Sequence, residues 1–166
     1  MASRDYEEFI AALNAHGVRY LILGAHAVAL HARPRATLDL DVLVERTPAN
    51  ARRLLRALAA FFDGVPLGYT AKEVADPRWV LQLGVSPMRI DVLPSIPGIE
   101  RFAAVWKNRV QAKFGSVPAS FIGRADLVAA KRAAGRLQDR ADLRSLLQAP
   151  QPRPARARVR RRPPAS

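Results

Sequence analysis

Cysteine is absent from the 166-residue chain, which excludes disulfides, thiolate metal sites and cysteine nucleophiles together. Acids are scarce: 14 Asp+Glu stand against 27 Lys+Arg, a formal charge of +13, which favours polyanionic partners over cationic ones. Long hydrophobic runs are missing as well. The most apolar stretch, residues 20–30, contains His26 and is too short to cross a bilayer. The opening MASRDYEEFI carries acids where a signal peptide carries its basic segment. The expectation is a soluble cytoplasmic protein with no membrane partner.

Hydrophobic residues make up 49% of the chain, enough to bury the core of one ordinary domain. The excess charge gathers at the end. Residues 151–166, QPRPARARVRRRPPAS, hold six arginines, four prolines and no acid. Proline removes amide donors and clustered arginines repel, so this segment lacks the means to fold. The division expected is a domain over residues 1–149 and a basic, disordered tail over 150–166. Such a tail reads as a clamp on nucleic-acid phosphates, held by counterion release, or equally as a solubilising extension.

Along the chain, Ser3 can cap a helix running to about residue 16, with Phe9, Ile10 and Leu13 as its apolar positions and Gly17 ending it. Residues 18–23 (VRYLIL) read as a buried strand stopped by Gly24, and AHAVALHA as a short helix. Residues 38–44 (LDLDVLV) form a second strand. A helix opens at Thr47 or Pro48 and runs to about residue 62. Strands are predicted at 79–83 and 88–93, separated by a Gly-Val-Ser-Pro turn, then a helix over 99–106 and a hairpin across residues 113–116. Two helices, 124–134 and 139–147, join near Gly135. Helices mixed with a few strands give an α+β (or α/β) class: a small mixed sheet flanked by helices, with helices at the C-terminus.

Asp39 and Asp41 are the most informative pair. Residues two apart on a strand point to one face, their Cα atoms roughly 6–7 Å apart, while Leu38, Leu40 and Val42 take the other. Two carboxylates on an apolar strand repel each other and resist burial. A hard cation relieves both costs, and Mg²⁺ commonly uses one or two carboxylates plus substrate phosphates. The plain alternative is a solvated strand face, which an isolated D-x-D favours. Asp91, flanked by Ile90 and Val92 on another strand, shifts that balance. Paired beside the first strand, it completes a set of three acids able to hold two divalent ions for an in-line phosphoryl displacement. Gly24, between a strand and a helix N-terminus, lets phosphate approach free amides.

Taken together, the run LILGAHAVALHARPRATLDLDVLV resembles the core of nucleotidyltransferases of the DNA polymerase β superfamily: strand, glycine turn, helix, then alternating acids. PRAT (34–37), RIDVLPSIPGIERFAAVW and DLVAAKRAAGRLQDRADLRSL resemble the AbiEii-like and related uncharacterised bacterial families of that fold. The likeness covers roughly residues 18–147. It implies that Asp39, Asp41 and Asp91 bind metal and carry catalysis, Asp91 activating the attacking hydroxyl. It also implies that Gly24, Ala25 and the amides beyond hold a triphosphate, that Lys131 and Asp139 line the nucleotide, and that Arg35 neutralises phosphate. Many members have Gly-Ser at the turn where this chain has Gly24-Ala25. The backbone amides survive that change, but one hydrogen bond to a charged partner, worth about 1.5–3 kcal/mol, does not.

Read alone, Lys131 is an ordinary solvated helix lysine, Asp139 a helix cap, Asp142 a local partner of Arg140 or Arg144, and His26 a packed imidazole. Trp79 and Trp106 suit the core. The leading expectation is a Mg²⁺-dependent enzyme, with two ions, that transfers a nucleoside monophosphate from an NTP to a hydroxyl of an RNA or protein acceptor. The resemblance adds a toxin–antitoxin role with a cognate antitoxin. The rivals are a catalytically silent fold member that binds nucleotide or a partner, and a basic RNA-binding protein.

Overall fold

The computed structural model describes residues 4–85 and 88–150. The expected Ser3 cap, the Ser86-Pro87 part of the predicted turn and the basic tail lie outside the described residues. Helix α1 (Arg4–Ala15) buries Tyr6, Phe9, Ile10 and Leu13, and Gly17, at φ +64°, turns the chain out of it. Strand β1 (Tyr20–Ile22) is buried throughout. It is half the predicted length, because the Val18 and Arg19 amides are spent on the Leu13 carbonyl and the Asn50 side chain, and at residue 24 the chain is already helical. Helix α2 (Gly24–His31) leads to β2 (Asp39–Val44) and α3 (Pro48–Phe61). Thr47 caps α3, its hydroxyl accepting from the Asn50 amide with proline in the first turn.

A short helix, α4 (Ala71–Val74), was not expected. Thr70 and Glu73 form its capping box, a signal present in the sequence as T-x-x-E. Strand β3 spans Leu81–Val85, two residues later than predicted, because the Trp79 amide is spent in a turn on the Asp76 carbonyl. Strand β4 (Met88–Leu93) falls as expected. Helix α5 is confined to Phe102–Lys107, since Ile99 is held in a bridge with Ile96. The predicted hairpin is β5 (Val110–Phe114) and β6 (Val117–Phe121). Helices α6 (Arg124–Ala134) and α7 (Leu137–Gln148) follow, with Gly135 left-handed at the end of α6.

The six strands form one mixed sheet in the order β3-β4-β2-β1-β6-β5. The central pair positions the acids. Strands β2 and β4 run parallel with Asp39 opposite Arg89 and Asp41 opposite Asp91. Alternation therefore sends Asp39, Asp41, Arg89 and Asp91 to one face and the buried Leu40, Val42, Ile90 and Val92 to the other. Helix α1 packs on α3 and β6, α6 packs on α7, and α2 touches β2 and α7. The Tyr6 hydroxyl reaches the carbonyls of Leu38 and Arg89, tying α1 to both acidic strands just before their carboxylates. No helix among the described residues is long and apolar enough to cross a membrane.

Candidate active site

Gly24 is the hinge of the site. Its φ is +59°, and a Cβ built there would collide with the Asp41 Oδ2. Glycine is therefore required twice, for the left-handed backbone and for the close approach of a carboxylate. The contact lays Asp41 against the first turn of α2, whose opening amides have no partner within the helix. The Asp41 backbone carbonyl also accepts from the Leu23 amide, which locks the turn to β2.

Asp41 sits in an unfavourable field. Burial raises its pKa first, and the charges of Asp91 and then Asp39 raise it further, against the pull of Lys131 and Arg136. Asp91 is buried to 8% exposure. Arg89, on the same strand and face, places its Nε 3.0 Å from Asp91 Oδ1 and an Nη2 3.5 Å from Asp39 Oδ2. The angle of the closer contact is poor: Arg89 Nε and Asp91 Oδ1 are both buried and neither makes a hydrogen bond. No three acidic or imidazole side chains gather at metal-binding distance among the described residues. The donor set nonetheless suits a hard dication, being all oxygen, crowded with negative charge, and left with an orphaned buried carboxylate oxygen.

Across the cleft the C-terminal helices carry a second charged cluster. Lys131, buried, donates to Asp139 Oδ1 at 2.9 Å and to Asp142 Oδ2 at 2.7 Å. Arg136 bonds Asp139 through its Nε at 2.7 Å and its backbone amide at 3.1 Å. Burial pushes the Asp139 carboxyl up, but hydrogen bonds from Arg136 and Lys131 outweigh it and hold it at about 2. Asp142 is lowered by the same balance: burial opposes, and hydrogen bonds from Lys131 and Arg35 win. A cavity of about 150 Å³ lies between the clusters, lined by Gly24, Asp41, Lys131, Arg136 and Asp139 among others.

The acids at 39, 41 and 91 share a face, and Gly24, Lys131 and Asp139 border the cavity beside Asp41. Two expectations from the residues alone need revision, and the Arg35 role implied by the resemblance meets a competing contact. Lys131 is buried rather than solvated. Asp142 does not pair with Arg140 or Arg144 but lies at 2% exposure between Lys131 and Arg35. Arg35, expected to face phosphate, spends its fork on Asp142, at 3.0 and 3.4 Å. Asp139 does cap α7, accepting from the Arg136 amide, and is also Lys131's partner. His26 is packed between the rings of Tyr6 and Phe114. Arg89 was missed, although its place two residues before Asp91 on a strand already put both on one face.

The protein is thus a small α+β fold in which Asp41, the Gly24 turn and the Lys131–Arg136–Asp139 cluster border one cavity. The chain belongs to the family described as nucleotidyl transferase of unknown function (DUF2204), whose model matches residues 2–161. No curated protein matches it.

Proposed function

We propose that this protein is a divalent-cation-dependent nucleotidyltransferase that moves a nucleoside monophosphate from an NTP to a hydroxyl. The observation that carries the reading is the parallel register that sets Asp41 opposite Asp91, with Asp41 laid against Gly24. Asp39, Asp41 and Asp91 would hold the metal. Bound there with substrate phosphates, Mg²⁺ supplies charge neutralisation at the attacking and leaving oxygens. The amides from Gly24 onward, at the positive end of α2, orient the triphosphate. Arg136 and Lys131 add positive charge at the cavity wall, with Asp139 and Asp142 fixing their positions. The Asp91 carboxylate, with Oδ1 lacking a donor, accepts the proton of the acceptor hydroxyl. The hydroxyl oxygen bonds to the α-phosphorus, the bond from that phosphorus to the bridging oxygen breaks, and pyrophosphate leaves. Positioning and electrostatics do most of the work in such a transfer.

The order strand, glycine turn, helix and acidic strand supports the narrower likeness to the polymerase β superfamily and its AbiEii-like members, from which a toxin–antitoxin role would follow. The acceptor favoured is a polynucleotide. On α7 both acids face inward, Asp139 and Asp142 being 0% and 2% exposed, while Arg136, Arg140 and Arg144 are exposed at every fourth position. Four-residue spacing puts them on one stripe that begins at the cavity and suits a phosphate backbone.

The test is incubation of the purified chain with Mg²⁺, each labelled NTP, and total RNA or protein, beside a D39A/D41A double variant. Label transferred by the wild type alone supports the reading. Equal transfer by both sinks it. Nucleotide binding without transfer, measured calorimetrically, would favour the silent-binder alternative, to which the Gly24-Ala25 turn lends support.

A further inference from the structure

Arg89 is a charged group on the acid face that the reaction outlined above leaves idle. It stands opposite Asp39 in the strand register and two residues before Asp91, so the sheet delivers its guanidinium between two carboxylates from different strands. Its contacts there are poor for an arginine. Guanidinium and carboxylate normally meet as a fork of two parallel hydrogen bonds. Arg78 and Asp76 show that fork in this molecule, at 3.0 and 2.8 Å. Arg89 instead reaches one oxygen of Asp91 at 3.0 Å and one of Asp39 at 3.5 Å, and neither its Nε nor the Asp91 Oδ1 makes a hydrogen bond. Charge is countered there, but the Arg89 Nε and the Asp91 Oδ1 are both left without a hydrogen bond.

We propose that Arg89 is the resident counter-cation of the site, which a divalent metal must displace from Asp39 and Asp91, so that this residue sets the metal affinity. The inference rests on the metal-dependent reading above and deepens it. A monovalent cation and a dication compete for the same carboxylate oxygens and repel each other at such short range. Displacement costs the protein an ion pair, so metal alone binds weakly. A triphosphate offers the released guanidinium a new anionic partner. Metal and nucleotide therefore raise each other's affinity, by the same factor in both directions.

The experiment is calorimetric titration of the full-length chain with Mn²⁺ alone, comparing wild type with Arg89→Met, Arg89→Gln and Arg89→Lys. Melting temperature with EDTA and with excess Mn²⁺ serves as a second readout. Both neutral variants are expected to bind Mn²⁺ about two- to fivefold more tightly than wild type, the range set by a partly exposed ion pair, while the lysine variant stays near wild type. With EDTA the neutral variants melt lower than wild type, and their rise on adding Mn²⁺ is larger. Adding a non-hydrolysable NTP tightens Mn²⁺ binding in the wild type and does so less in the neutral variants. Unchanged or weaker Mn²⁺ binding by both neutral variants, with the wild type binding normally, overturns the inference and leaves the metal-dependent reading intact. No Mn²⁺ binding by any form overturns both.

Discussion

Asp41 and Asp91 face each other directly across the parallel pairing of β2 and β4, two acids in the middle of a sheet whose opposite face is hydrophobic core. A fold gains nothing from that pairing, and burial and mutual repulsion both work against the charged form of Asp41. A cation would relieve the strain, and under the proposed function the pair is a feature carried at the expense of stability.

Replacing Asp41 should therefore separate stability from function. A carboxyl whose pKa is raised on folding contributes stability below its unfolded value, near 3.8, and that contribution disappears as pH rises through the raised value. At pH 7 the charged side chain opposes folding. Asp41→Asn is expected to raise the melting temperature in EDTA by a few degrees while abolishing nucleotidyl transfer. Thermal denaturation at pH 7, with a lower melting temperature for the variant as the adverse result, checks this.

Lys131 should behave in the opposite sense. Removing it leaves Asp139 and Asp142 buried without their shared ammonium, and breaking a buried pair from one side costs about 3–5 kcal/mol. Lys131→Met is expected to lose stability on that scale in urea unfolding. A loss under 1 kcal/mol, on the order of an exposed pair, would show that solvent reaches the cluster.

The same cluster sets an acid limit. Asp139 falls from 3.8 to about 2 on folding, so the stability it contributes is complete above pH 3.8 and is lost as pH drops towards 2. The contribution is on the order of 2 kcal/mol. Asp139→Asn should be less stable than wild type at pH 6, with the gap closing between about pH 4 and pH 2. A gap independent of pH would place the effect in packing rather than charge.

Gly24→Ala forces a side chain into left-handed backbone, at about 1–2 kcal/mol, and into the Asp41 carboxylate. Both stability and transfer should fall. Gly17→Ala, also at positive φ but with nothing near its would-be Cβ, should cost stability alone. Equal activity in the two variants would contradict the placement of Asp41 against the turn.

The stripe on α7 predicts salt-dependent binding. A fluorescent single-stranded RNA is expected to bind R140E/R144E more weakly, with a shallower salt slope, each lost phosphate contact removing about 0.7 from it. R52E/R56E carries the same charge change on α3, which packs on α1 and α4, and should bind nearly as wild type. Equal losses in the two variants would reduce the effect to net charge.

Much of this was legible in the residues. Alternation in LDLDVLV and MRIDVL marked both acidic strands, Thr47-Pro48 marked the start of α3, and Gly135 the break between α6 and α7. What the residues could not show was which strands meet: the crossover that places β4 beside β2 is a tertiary choice. The ionic cluster was hidden for a similar reason. Asp142 has arginines two residues away on either side, so local pairing looked sufficient, but helix geometry turns it inward to Lys131 and to Arg35, which is 107 positions distant. The contact that occupies Arg35 was hidden with it.

Joint binding of metal and triphosphate at the Asp41–Asp91 pair is measured directly by calorimetry with a non-hydrolysable NTP, with and without Mg²⁺. The wild type should bind the nucleotide in Mg²⁺ and lose most of that affinity in EDTA, and D41N should bind poorly in both. Binding by D41N that matches the wild type, with no dependence on Mg²⁺, would contradict it.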